Sequence, residues 1–119
     1  MTLPWTTWLP RRRYFVAAEV EAADLIPDHL PRKAAIVVRS QGRPKWVAFD
    51  CPCQQRHRLL VNLDARRRPH WRLGDTRRLD LAPSINVANG GRRCHFWVRA
   101  GSIRWAPPAD DRWRDSYAR

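Results

Sequence analysis

The sequence predicts a mostly β fold, a small single-domain antiparallel sheet or sandwich with a zinc knuckle and little helix. Three observations predict it. Apolar residues recur at every second position through several short runs, the period of a half-buried strand. Pro27 and Pro31 confine the one helical candidate, residues 22–31, to about a turn, because an interior proline removes a backbone donor and clashes with the preceding turn. Cys51-Pro52-Cys53 with His57, and Cys94-His95 about forty residues later, hold all three cysteines and two of the four histidines. Two such short clusters could converge on one metal ion.

Tyr14 to Val20 reads as the first strand. Ala34 to Arg39 is a run of β-branched and small apolar residues, Gln41-Gly42-Arg43-Pro44 supplies a turn, and Lys45 to Asp50 returns as the second arm of a hairpin that ends at the cysteine knuckle. His57 to Leu63 alternates, with Leu59, Val61 and Leu63 on one face, and Arg66 to Pro69 turns after it. His70 to Leu73 and Arg78 to Leu81 are short strands around Gly74-Asp75-Thr76, a loop with turn chemistry. Pro83-Ser84-Ile85 leads into the flexible turn Asn89-Gly90-Gly91. Cys94 to Arg99 and Ser102 to Ala106 form a closing hairpin over Ala100-Gly101. The domain thus spans 14–106, between a Trp- and Pro-rich arm at 1–13 and a polar tail at 107–119.

Zinc suits the clustered donors best, since thiolate and imidazole at tetrahedral geometry favour it. Pro52 fixes its own φ and pushes Cys51 towards an extended conformation, so the chain can leave a strand and fold both sulfurs over one point. Neighbouring residues of a strand face opposite ways, so Cys94 and His95 do not share one metal unless the strand begins after them. The fourth ligand stays open between His57 and His95, and Cys51, Cys53, Cys94 and His57 form the preferred set. Three buried apolar thiols that merely cluster are the plainer alternative. An odd cysteine count argues against a disulfide framework. The residues at 1–13 lack the apolar run of a signal peptide, and no stretch is long enough to span a membrane, so the cytoplasm is the expected compartment.

Charge bounds the partners. The chain carries +12, with 23 basic residues against 11 acids, and only two of the basic residues are lysines. Arginine suits bidentate contact with carboxylate or phosphate, so the field favours polyanions or an acidic protein surface. Arg11 to Arg13 and Arg66 to Arg68 read as solvated runs. Arg92 and Arg93 differ, because they precede Cys94 and stand beside the proposed metal site in any fold.

The segments CPCQQRHRLLVNL, RRRPHWRL, LAPSI and GRRCHFWVRAGSIRW resemble a small bacterial family of unknown function associated with operons for ubiquitin-like conjugation. Its members carry a CPC or CPCGC knuckle, a PSI segment, and an HF pair before a final hairpin ending in tryptophan. The likeness runs from about Trp46 to Trp105. The chain departs from the pattern in two places: Gln55 stands where the CPCGC form has its third cysteine, and Cys94 directly precedes His95 where many members have their cysteine three residues before the histidine. The resemblance implies a zinc-binding accessory protein of such a pathway, contacting the ubiquitin-like protein or its activating or conjugating enzymes, and a peptidase that processes or removes the modifier is one form it takes.

The residues themselves leave open whether the chain performs chemistry. A hydrolytic zinc needs an open position and a neighbouring carboxylate, and Asp50 is the only acid near the ligands in sequence. Three thiolates mark a closed, structural site more often. Deamination would need the H-x-E pairing that the chain lacks. Catalysis by Ser84 as nucleophile with His95 as base is a second route, weighed against ordinary turn chemistry for a serine after proline. Arg92 or Arg93 would then bind a carboxylate or polarise a carbonyl. The competing class is a nucleic-acid-binding zinc module, in which Arg clusters contact phosphate and Trp71 and Trp97 stack on bases. The tryptophans are more simply read as core packing, since many fall at alternating strand positions.

Overall fold

The computed structural model describes residues 12–89 and 91–107, with the backbone alone at Asn89 and Arg92. The arm at 1–13 and the tail at 107–119 therefore lie outside the described residues except at 12, 13 and 107, as do Trp5, Trp8 and Trp113. Eight strands follow in order: β1 (Phe15–Val20), β2 (Ala34–Ser40), β3 (Arg43–Asp50), β4 (Arg58–Asn62), β5 (Arg72–Leu73), β6 (Leu81–Asn89), β7 (Arg92–Arg99) and β8 (Ser102–Trp105). A single 3-10 turn at Ala23–Leu25 is what the prolines leave of the helical candidate. Among the described residues, no helix is long and apolar enough to cross a membrane.

The strands form two four-stranded sheets, β1-β2-β3-β4 and β5-β6-β7-β8, each in sequence order. All pairings are antiparallel except β1 with β2, whose parallel crossover carries the 3-10 turn. Alternate residues of both sheets meet in one apolar core, with Val37, Val47 and Phe49 from the first and Leu81, Ile85, Phe96 and Val98 from the second. The mostly β sandwich expected from the alternation is the observed fold.

Two tight hairpins turn on glycines read from the sequence, the first in two residues where the four of Gln41-Gly42-Arg43-Pro44 were expected. Gln41-Gly42 and Ala100-Gly101 are two-residue loops with positive φ at both positions, the geometry whose twist matches that of the flanking strands. Gly101 has a second constraint: a Cβ there would stand 2.5 Å from the Tyr14 carbonyl oxygen. That close approach ties the sheets together. The Tyr14 amide donates to the Gly101 carbonyl, the Leu79 amide to the Tyr14 carbonyl, and the Gly101 amide to the Leu79 carbonyl.

Several predicted boundaries move: β3 begins at Arg43, inside the expected turn, and β7 at Arg92, ahead of the expected Cys94, and the largest changes are at β6. The strand expected over Arg78 to Leu81 divides: Arg78 bridges Phe15, Leu79 bonds to Tyr14, the Asp80 carbonyl accepts from the Gly74 amide, and β6 begins only at Leu81. It then runs through Pro83 and Ser84 instead of ending before them. Leu81 opposes Val98 while Ile85 opposes Phe96, so β6 carries two extra residues in between. Proline has no N–H to give the ladder, and the pairing slips where it stands.

The described tryptophans edge the core rather than fill it, with Trp71 packing against it from the rim. Trp46, Trp71 and Trp97 are half-buried, and Trp105 is 46% exposed against Phe96. An indole is too large for this thin interior and its N–H needs an acceptor, which a rim position provides.

Candidate functional site

β3 ends at Asp50 and β4 starts at Arg58, and the knuckle folds between them. The Cys51 amide donates to the His57 carbonyl and the Arg56 amide to the Cys53 carbonyl, with Arg56 at φ 50°. This closed turn brings His57 back over the two cysteines. Cys94 arrives from β7 of the other sheet, directed inward like Phe96 and Val98. The ligand atoms of Cys51, Cys53, His57 and Cys94 all lie within 4.8 Å of one another, and His57 Nε2 is 3.8 Å from Cys94 Sγ. A tetrahedral zinc with Zn–S near 2.3 Å would set its ligands roughly 3.5 to 3.8 Å apart, so the cluster could hold one ion after a small contraction.

The electrostatics fit a cation. The three cysteine sulfurs are buried thiols, and burial pushes the Cys51 thiol up to about 12, with the neighbouring Cys53 and Cys94 sulfurs adding to the rise. Burial works against the Cys53 thiolate too. Hydrogen bonds from the Cys51 thiol and from the backbone amides of Arg56 and Gln55 outweigh it and bring Cys53 below its ordinary value. Three crowded buried sulfurs cannot ionise together without a positive ion among them. The donor set is therefore compatible with zinc.

Asp50, the acid nearest the ligands in sequence, is occupied elsewhere. Its Oδ1 accepts from Arg58 Nε at 3.0 Å, and its carbonyl accepts from the Tyr14 hydroxyl at 2.7 Å. Arg58 also donates to the carbonyls of Pro27 and Asp28, so this carboxylate belongs to a clamp on the crossover.

The alternation of β7 separates Cys94 from His95. Cys94 faces the core; His95, one residue on, lies on the outer face of the second sheet. There its Nε2 stands 3.0 Å from Ser84 Oγ. The strand slip next to Pro83 puts Ser84 on that face, diagonal to His95, while Ile85 stays in the core. Burial, and then the charge of Arg93, hold the His95 imidazole below its ordinary value. Both favour the neutral ring, which with Nε2 unprotonated accepts the serine hydroxyl proton.

Three further residues shape this face, and the sequence reading singled none of them out for this role. Trp71 Nε1 donates to the Ser84 carbonyl at 3.1 Å. The Trp71 amide in turn donates to the carbonyl of Asn62, whose buried side-chain amide gathers the carbonyls of Asp64, Arg67 and Pro69 and accepts from the Asp64 amide. Asn62 thus fixes the loop that fixes Trp71, which holds the backbone of Ser84. Asn86, opposite His95 in the ladder, accepts from Arg93 at 3.0 Å. Alternation placed Asn62 on the face of Arg58 and Leu60, away from Leu59 and Val61, so its burial had no signal in the sequence. Of the two arginines expected beside the site, Arg93 lies on the dyad's face, and the Arg92 side chain lies outside the described residues.

Against known proteins, the decisive likeness is a family model described as bacterial ubiquitination-like system serine protease (BubE), which matches residues 22–106. The chain belongs to the BubE family. The match covers the knuckle, the Ser84 segment and the final hairpin, and it links the chain to a bacterial ubiquitination-like system, as the resemblance of these segments implied. No curated protein and no solved structure matches the chain.

Proposed function

We propose that this chain is a zinc-stapled serine peptidase that processes or removes the modifier of a bacterial ubiquitin-like conjugation pathway, with Ser84 as nucleophile and His95 as general base. The observation that carries this reading is the 3.0 Å approach of Ser84 Oγ to His95 Nε2, in a family described as a serine protease. Nucleophile and base within hydrogen-bond reach are the minimum for acyl transfer.

Ser84 Oγ attacks the scissile carbonyl as its proton passes to His95 Nε2. The tetrahedral intermediate collapses when His95 returns that proton to the leaving amine, and an acyl ester on Ser84 remains. Water, deprotonated by the same imidazole, then attacks the ester, and the proton goes back to Ser84. Trp71 keeps the nucleophile's backbone in place throughout. Arg93, on the same face, supplies positive charge near the developing oxyanion.

Cys51, Cys53, His57 and Cys94 would hold zinc as a closed, structural cross-link between the sheets. Pinning Cys94 pins His95, because the two share a peptide bond on a paired strand.

The test has two parts. A fluorophosphonate probe labels the wild type at Ser84 and not Ser84→Ala, and a modifier carrying a C-terminal extension is cut by the wild type and by neither Ser84→Ala nor His95→Ala. Labelling at another residue, or cleavage that survives Ser84→Ala, removes the proposal. Metal content measured by inductively coupled plasma mass spectrometry gives near-stoichiometric zinc that is lost with Cys51→Ser or Cys94→Ser.

A further inference from the structure

The four strands of the second sheet carry five arginines, at 72, 92, 93, 99 and 104, and not one aspartate or glutamate. The acids of the described residues lie in the first sheet, in the 3-10 turn and in loops. Arg72, Arg93, Arg99 and Arg104 are exposed, so the positive charge reaches solvent on the sheet that presents Ser84 and His95. Beside the dyad lies a groove of about 630 Å³ lined by Trp97, Arg99, Ser102, Ile103 and Arg104. Trp97 connects the two: its ring centroid is 5.5 Å from that of His95, and in the ladder it stands opposite Arg104.

We infer that this groove binds acidic side chains of the polypeptide that Ser84 cleaves, a few residues from the scissile carbonyl. The inference rests on the peptidase reading and adds its substrate class. Two guanidinium groups lining one groove with an indole offer paired, directional donors to a carboxylate, and among the described residues the strands of this sheet carry no acid beside them. A groove one ring from the base is where the side chains of a bound extended peptide fall when its carbonyl sits at Ser84. Net charge alone would attract any polyanion; arginines concentrated against Trp97 select a place on the chain.

The experiment uses the Ser84→Ala protein and fluorescence anisotropy with two labelled peptides, one rich in glutamate and its glutamine-matched twin. The acidic peptide binds roughly tenfold or more tighter at low salt, the difference expected from one or two charge-assisted contacts. Arg99→Gln with Arg104→Gln brings the ratio close to one. Arg43→Gln with Arg67→Gln removes the same charge from exposed positions elsewhere and leaves the ratio unchanged. Equal binding of the twins, a preference that survives the groove variants, or an equal loss in the distant variants overturns the inference. So does an oligothymidine strand that displaces the acidic peptide from the groove, which would make the face a nucleic-acid site. In otherwise wild-type protein the groove variants keep fluorophosphonate labelling of Ser84. Failure of that labelling in the wild type counts against the peptidase reading alone, because the binding comparison does not depend on Ser84.

Discussion

On the inner face of β7, Cys94 is buried and meets Cys51, Cys53 and His57 from the other sheet; one residue later, on the outer face, half-buried His95 meets Ser84 from the neighbouring strand. The two regions share a backbone and differ in everything else. The inner cluster joins residues far apart in the chain across the sandwich, buries its three sulfurs, and brings them so close that they can ionise together only around a cation. The outer pair is a diagonal contact within one sheet, open to a substrate and next to positive charge. A strand's two-residue period lets adjacent residues take up a cross-link and a base without competing for the same space. In the proposed enzyme, stability belongs to one face and chemistry to the other, and mutations should separate them.

The largest expected effect is loss of the metal. With zinc bound as proposed, stripping the protein with a strong chelator, or substituting Cys94→Ser, removes a staple of about 10 kcal/mol of apparent folding free energy, more than the whole margin of many small domains. Thermal unfolding followed by circular dichroism then shows a transition lowered by tens of degrees or lost altogether, restored in the wild type when zinc is returned. An unchanged transition in metal-free protein would mean that the core alone holds the two sheets together.

Next come the dyad substitutions. Ser84→Ala and His95→Ala should each lower kcat/KM by roughly a thousandfold or more, and the double variant should lose little further, because nucleophile and base act as a unit. Their unfolding midpoints should stay close to that of the wild type, since both side chains lie outside the core. His95→Ala thus tests the comparison against Cys94→Ser at the adjacent position. A His95→Ala protein that loses zinc and unfolds would merge the two regions into one.

The inner region was legible because its chemistry is written in residue type. Cysteines are rare in this chain, and strand alternation, applied to Cys94-His95, anticipated that the two would part company. The structure seats His57 with the cysteines and sends His95 to Ser84. The places of the hairpins were legible for a similar reason, since Gly42 and Gly101 mark turns; the two-residue length was read at Ala100-Gly101 but not at Gln41-Gly42, where Arg43 and Pro44 already belong to the strand. What stayed hidden was long-range pairing. Nothing local to Arg78 and Leu79 announces that they join Phe15 and Tyr14, and a slip of two residues beside Pro83 depends on what β7 presents opposite. The rim positions of the described tryptophans were hidden too, because strand alternation assigns a face and not the depth at which a side chain sits.

Trp71 is the residue through which the comparison can be sharpened most finely. It packs against the core with its ring and holds the Ser84 carbonyl with its Nε1, so it touches both regions. Trp71→Phe keeps most of the packing and deletes the hydrogen bond, at a cost to stability of about 1 kcal/mol. If the bond only supports the fold, kcat and KM stay as they are and the unfolding midpoint alone moves. If it positions the nucleophile, kcat falls about tenfold with KM little changed, because a small displacement of Ser84 Oγ from His95 Nε2 weakens the transition state and spares ground-state binding. The second pattern is expected. The carbonyl that Trp71 holds belongs to Ser84 itself, at the point where β6 leaves regular pairing with β7 and needs another contact to fix its path.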